Sequence, residues 1–230
     1  MTKRGMHMAL QRALSLAAGI GFVATLGALP LLGSLAVLAL ALGLYAFWPV
    51  PAAPAGAFRY RRGPAVVIPD LMGLVLVSAF VGLPLLVSRI EGALHPSALL
   101  VWPLGAVFVS LLVIGWKRGV FALELGAEAL RADTGLRHRA WRYDQIAAVE
   151  PWRSDLVRPV RPLAPLLVAA GQPGAAGALM VSRPGRGVAL VHRDGTRWPI
   201  PGDAFEDGLK ALLTACAARG VTLKVPADAA

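Results

Sequence analysis

One cysteine, Cys216, occurs in the 230 residues, which excludes an intramolecular disulfide framework and a cysteine-based zinc site. The four histidines, His7, His95, His138 and His192, are isolated, with no partner at metal-ligand spacing. Neither a glycine-rich phosphate loop nor a Gly-x-Ser-x-Gly elbow is present. His192-Arg193-Asp194 shares its letters with a kinase catalytic loop, but it runs straight into a Gly-Thr-Arg-Trp hairpin and lacks the downstream Asn. No catalytic, cofactor-binding or metal-binding residue is therefore nominated, and the chain is not expected to be an enzyme.

Charge is also scarce. Only 16% of residues are charged and 57% are hydrophobic, where a soluble domain carries about 25% charged residues. The scarcity is confined to one half. Up to Trp116 there are seven basic and two acidic residues, and beyond it sixteen basic and eleven acidic ones. A net charge of +10 fits nucleic acid, anionic lipid or the ordinary asymmetry of an inner-membrane protein. The basic residues cluster at the ends of apolar runs, which favours the last two, and nucleic acid is not expected as a partner.

The apolar runs set the organisation. Arg12 to Arg59 encloses 46 uncharged residues, about twice what one span requires, punctuated by Gly27, Pro30 and Gly33. That pattern predicts a hairpin of spans near 10–28 and 31–49. Two further spans are expected near 70–89, with a kink at Pro84, and 97–116, which closes on Trp116-Lys117-Arg118. Short segments on one side hold Lys3, Arg4, Arg12, Arg59, Arg61, Arg62, Lys117 and Arg118, and the other side holds Arg89 alone. Because basic residues are retained in the cytoplasm, four spans with both termini cytoplasmic are expected. Ala17, Gly21, Ala24 and Ala28 recur at spacings that suit close helix approach. Asp70 lies at the edge of the third span beside Pro69, so no polar site is expected inside the spans.

Residues 119–225 read as a soluble, strand-rich domain. Val120–Glu128 alternates with period two, and Ala129–Ala132 is expected to continue that strand to a turn at Asp133-Thr134-Gly135. Leu136–Tyr143 is a second strand with Arg137, Arg139, Trp141 and Tyr143 on one side and His138, Ala140 and Arg142 on the other. Ala147–Trp152 forms a third. Prolines and glycines make 162–177 a long loop, followed by a strand at 178–181. Asp194-Gly195 is a hairpin signal between Val188–Val191 and Thr196–Ile200. Asp203 and Glu206 resemble a capping box for a helix that buries Phe205, Leu209, Leu212, Leu213 and Cys216 and ends at Arg219-Gly220.

Repeated strand pairs, the Trp141-Arg142-Tyr143-Asp144-Gln145-Ile146 segment, the Asp-Gly hairpin and one terminal amphipathic helix resemble the bacterial pleckstrin-homology-like domains. The resemblance covers roughly 117–225 and implies a small antiparallel sheet or barrel with one carboxyl-terminal helix, attached to transmembrane segments. The fold class expected is thus a four-span α-helical membrane domain, 1–118, followed by an α+β pleckstrin-like domain, 119–225. Arg59, Arg61, Arg62, Lys117, Arg118, Arg137, Arg139, Trp141 and Arg142 are the candidate contacts to membrane lipid or to a membrane or cytoplasmic protein partner. Two functions fit: a non-enzymatic inner-membrane protein presenting a docking or lipid-contacting module, and an accessory subunit of a membrane transport system.

Overall fold

The computed structural model describes residues 1–154, 185–202 and 208–224. A helical amino-terminal part is followed by a small sheet region. The chain forms two compact units, Met1–Glu124 with Arg131–Arg139, and Leu125–Leu130 with Ala140–Ala230.

Four long helices build the first unit. Helix α1 (Lys3–Ala24) starts at Thr2, whose hydroxyl accepts from the Gly5 amide at 3.1 Å. The turn after it uses Gly27 at φ 74°, and Pro30 opens α2 (Leu31–Phe47), as the punctuation predicts. A π-helical turn, Arg62–Val67, runs directly into α3 (Ile68–Glu91), which stops at the left-handed Gly92. Helix α4 (Ser97–Val120) extends past Lys117 and Arg118. That pair, expected where the fourth span leaves the membrane, lies in the last helical turn, where cations suit the negative end of the helix dipole.

Helix α3 is the centre of this unit, packed against α1 and α4, and α2 packs against α1. Two glycines nine residues apart, hence on opposite sides at 100° per residue, make this possible. A Cβ on Gly73 would stand 2.8 Å from Leu112 Cδ2 of α4, and one on Gly82 would stand 2.6 Å from Val23 Cβ of α1. Gly21, one of the small residues that would allow a close approach, has open space around it. Gly19 meets Ser78 instead. Pro84 and Pro103 both sit inside unbroken helices.

Arg62–Glu91 and Ser97–Val120 are long and apolar enough to cross a membrane, and Leu31–Phe47 is apolar but shorter. Helix α1 carries Lys3, Arg4 and Arg12.

Strands β1 (Ala122–Leu125), β2 (Ala129–Asp133) and β3 (His138–Arg142) form a sheet in that order. The single strand expected over 120–132 is thus a helix end and two strands. The chain reverses at 126–128, where the Gly126 amide donates to the Ala129 carbonyl at 3.0 Å. Gly126 is free to turn because it has no side chain, but Ala127 and Glu128 carry no turn chemistry, so periodicity ran on across the break.

A second sheet has the order β6-β5-β4-β7, from β4 (Ile146–Ser154), β5 (Gly185–His192), β6 (Arg197–Pro201) and β7 (Thr222–Leu223). Strand β4 is longer than the third strand read from sequence. The β5–β6 hairpin turns at Gly195, φ 85°, as the Asp-Gly signal predicts. Val149, Leu190 and Trp198 face one another across three strands, and all are buried. Helix α5 (Gly208–Ala217) buries Leu212, Leu213 and Cys216, ends before Gly220 at φ 74°, and leads into β7, which pairs in parallel with β4. The expected loop at 162–177, the strand at 178–181 and the cap at Asp203 and Glu206, with Phe205, lie outside the described residues.

Burial pushes the Cys216 thiol up to about 11, as a desolvated thiolate is disfavoured. Cys216 is therefore a core residue. Maleimide at pH 8 is expected to label the native chain far more slowly than a free thiol, and to label it fully after denaturation. Fast native labelling would contradict the packing of α5.

Candidate functional site

Four helices of the first unit meet at one carboxylate. Asp70 of α3 is 0% exposed and Arg12 of α1 is 5% exposed. Arg12 Nε donates to Asp70 Oδ1 at 2.9 Å and Arg12 Nη2 to Oδ2 at 2.5 Å, a two-point fork of the kind that fixes both groups in one plane. The Tyr45 hydroxyl of α2 donates to Oδ2 at 2.7 Å. Gly115 of α4 completes the node. Any Cβ there would fall on the carboxylate, with Asp70 Cγ at 2.7 Å, so α4 can close over Asp70 only because it presents bare backbone. Next to the node, the Gln11 side-chain amide donates to the Tyr45 carbonyl, and a ring nitrogen of His7 lies 3.2 Å from the Pro49 carbonyl.

This corrects the expectation that the helices hold no internal polar site. Because the π-turn begins at Arg62, Asp70 is not at the helix edge but eight residues inside a continuous helical stretch. A buried acid paired to a buried base satisfies both charges, so the arrangement works as a clasp between α1 and α3.

A cavity of about 430 Å³ opens in the same unit, lined by Arg4, Arg59, Arg62 and Arg118 together with Trp48 and Gln11. No acidic residue lines it among the described residues. Three devices position these arginines. Arg4, in the first turn of α1, donates through Nη1 to the Val120 carbonyl at 3.0 Å and through Nη2 to the Gly119 carbonyl at 2.9 Å, capping the end of α4. Arg118, in the last turn of α4, lies over the Tyr60 ring at 5.7 Å. Arg59 and Arg62 flank Tyr60 on a segment held to β1 by a two-way bridge. The Phe58 amide donates to the Leu123 carbonyl at 2.8 Å, and the Leu123 amide returns to Phe58 at 3.0 Å. The Tyr60 ring then meets Phe121 edge-on at 5.6 Å.

Two donors on residues that line this cavity are buried without a hydrogen-bond partner, Arg4 Nε and Trp48 Nε1. Among the described residues no carboxylate lies within ion-pair distance of Arg59, Arg62 or Arg118.

Of the nine residues nominated from sequence, three line the cavity together: Arg59, Arg62 and Arg118. Arg61 is exposed on the same segment. Lys117, Arg137 and Arg139 are exposed. Arg142 is tied to Asp144 through Nε and Nη2, both at 3.2 Å, and that hydrogen bonding holds the Asp144 carboxyl below the usual range. Trp141 is half-buried and packs near Trp198 at 5.5 Å and His192 at 5.3 Å, inside the second unit's own aromatic cluster. Sequence reasoning missed Arg4, Trp48, Arg12 and Tyr45 as site residues. Arg4 and Arg12 were counted only as flanking charge, and none of the four carries a motif.

Comparison with protein-family models, with curated proteins and with solved structures finds no match for this chain.

Proposed function

We propose that this is a non-enzymatic, multi-pass protein of the bacterial inner membrane, with four crossings, both termini cytoplasmic, and a pleckstrin-homology-like module that meets anionic lipid or docks a protein partner. The observation that carries this reading is the outward surface of the two longest helices. Met72, Val75 and Leu83 of α3 and Leu99, Leu100 and Val107 of α4 are all exposed, a continuous apolar face of the kind that a water-soluble unit does not leave bare. Helix α2 at 17 residues is about 25 Å long, near the hydrocarbon thickness, and α1 at 22 residues is longer. The one-sided distribution of basic residues supplies the orientation.

Reporter fusions test the topology. Fusions after Trp48 and at the carboxyl end are expected to score as cytoplasmic, and one at Gly92 as external. An external carboxyl-terminal reporter overturns the arrangement.

The second reading, an accessory subunit of a transport system, is favoured by the node of Arg12, Tyr45 and Asp70, since ionisable groups among apolar helices often serve a translocation path. Asp70→Asn separates the two. A clasp loses stability, whereas a subunit that uses the carboxylate keeps its fold and loses a permease that co-purifies with the wild type.

A further inference from the structure

We propose that the arginine-lined cavity is a phosphate-binding site, occupied by the phosphate of a lipid headgroup or by a soluble phosphate. Four guanidinium groups reach it from three separate parts of the chain, the first turn of α1, the segment before α3 and the last turn of α4. With no acidic lining residue among the described residues, these charges repel one another unless an anion sits among them. The electrostatics are therefore arranged for a ligand rather than for the empty fold. A diffuse lipid-facing patch needs no such convergence, since exposed lysines and arginines spread over a surface attract anionic lipid equally well.

The hydrogen-bonding groups point to the same chemistry. Arginine and the tryptophan indole are donors with no acceptor capacity. Arg4 Nε and Trp48 Nε1 are buried and unpaired, which is uncommon for such groups in a native structure. A phosphate offers several acceptor oxygens and carries negative charge, the two properties that a set of donors and cations lacks. Planar guanidinium forks also match phosphate oxygens in geometry. Arg4 is pre-positioned by its bonds to Gly119 and Val120, which satisfy two of its nitrogens, while Asp133, which acts on its charge, does not line the cavity. Arg59 and Arg62 stay exposed at the mouth, where an incoming anion meets them first. The volume of about 430 Å³ holds a phosphate with its attached glycerol, and Met8 and Val66 give that moiety an apolar wall.

This proposal rests on the membrane reading only for the source of the ligand, since a soluble phosphate reaches the same groups in a chain that crosses no membrane. The full-length protein is compared in three settings: detergent micelles titrated with inorganic phosphate and with glycerol phosphate, nanodiscs of neutral phosphatidylcholine, and nanodiscs containing phosphatidic acid or phosphatidylglycerol. Retained lipids are counted by native mass spectrometry, and intrinsic fluorescence follows occupancy, with Trp48→Phe identifying the signal that belongs to the cavity. Saturable binding of one phosphate-bearing molecule is expected, weakened at least tenfold by Arg59→Gln/Arg62→Gln and unaffected by Arg139→Gln, a surface arginine outside the cavity. Both cavity residues are exposed, so the variant is expected to elute and to melt as the wild type does. Binding in the micelle titrations alone assigns a soluble phosphate, and binding in the anionic nanodiscs alone assigns a headgroup. Equal loss of binding in Arg139→Gln and in the cavity variant, or no saturable binding by the folded protein in any setting, overturns the site. Neither result bears on the reporter topology, so the two readings fail separately.

Discussion

Asp70→Ala is expected to destabilise the helical unit by about 3–5 kcal/mol, because it leaves the Arg12 guanidinium buried without its counter-charge. The carboxylate holds three of the hydrogen bonds at the node, two from Arg12 and one from Tyr45. Its removal strands groups on α1 and α2 at once, and the bare backbone of Gly115 that accommodates it then borders a void. Removing both charges is a different experiment. Arg12→Met/Asp70→Leu replaces the pair with apolar side chains, and such replacements are often neutral or stabilising, so the double variant is expected to recover most of the loss. The measurement is unfolding of the full-length chain in mild detergent, followed by loss of helicity as a denaturing detergent is added, for the wild type, Asp70→Ala and the double variant. If Asp70→Ala unfolds where the wild type does, the four helices are not joined through this carboxylate.

That node also marks the limit of what the sequence discloses. The helix boundaries were legible because charge is absent over long runs and glycine and proline stand at the breaks, both local signals. Helix α2 begins one residue after Pro30, and α3 stops at Gly92. The clasp was not legible because its four members come from four helices, at positions 12, 45, 70 and 115, and nothing in a single chain pairs a lone Asp with one arginine among nineteen. A usable hint did exist. Arg12 and Asp70 both lie within helical stretches otherwise rich in apolar residues, and buried charges are found paired. The cavity was half legible. Arg59, Arg62 and Arg118 were singled out as a basic group at one membrane face, but their convergence with Arg4 depends on the bridge between Phe58 and Leu123, a contact across 65 positions that leaves no periodic trace.

The sheet region divides in the same way. An Asp-Gly pair specifies its own hairpin through backbone conformation alone, and β5 and β6 turn there. Strand β7 has two residues and gains its place from pairing with β4, so no pattern within Thr222-Leu223 can announce it. The β1–β2 reversal was hidden because residues on both sides of Gly126 keep an apolar alternation that reads as one strand.

The second large effect is expected at Leu212. Its side chain is fully buried in α5, and truncation to Ala removes the side chain's apolar burial and leaves a cavity, a change that costs about 2–5 kcal/mol in well-packed cores. Cys216 makes the effect measurable at the helix itself, because it lies one turn further on and is also fully buried. A buried thiol reacts only when its surroundings open, so the labelling rate reports the free energy of that opening whether or not the rest of the chain unfolds. Since each 1.4 kcal/mol is a factor of ten, Leu212→Ala is expected to raise the Cys216 labelling rate by at least about thirtyfold in the full-length protein. Leu213→Ala is expected to act in the same direction, since Leu213 is nearly as buried. Lys210→Ala, on the exposed side of the same helix, serves as the comparison and is expected to leave the rate unchanged. If both leucine variants label at the wild-type rate, α5 does not hold its place through this face, and the burial of Cys216 needs another cause.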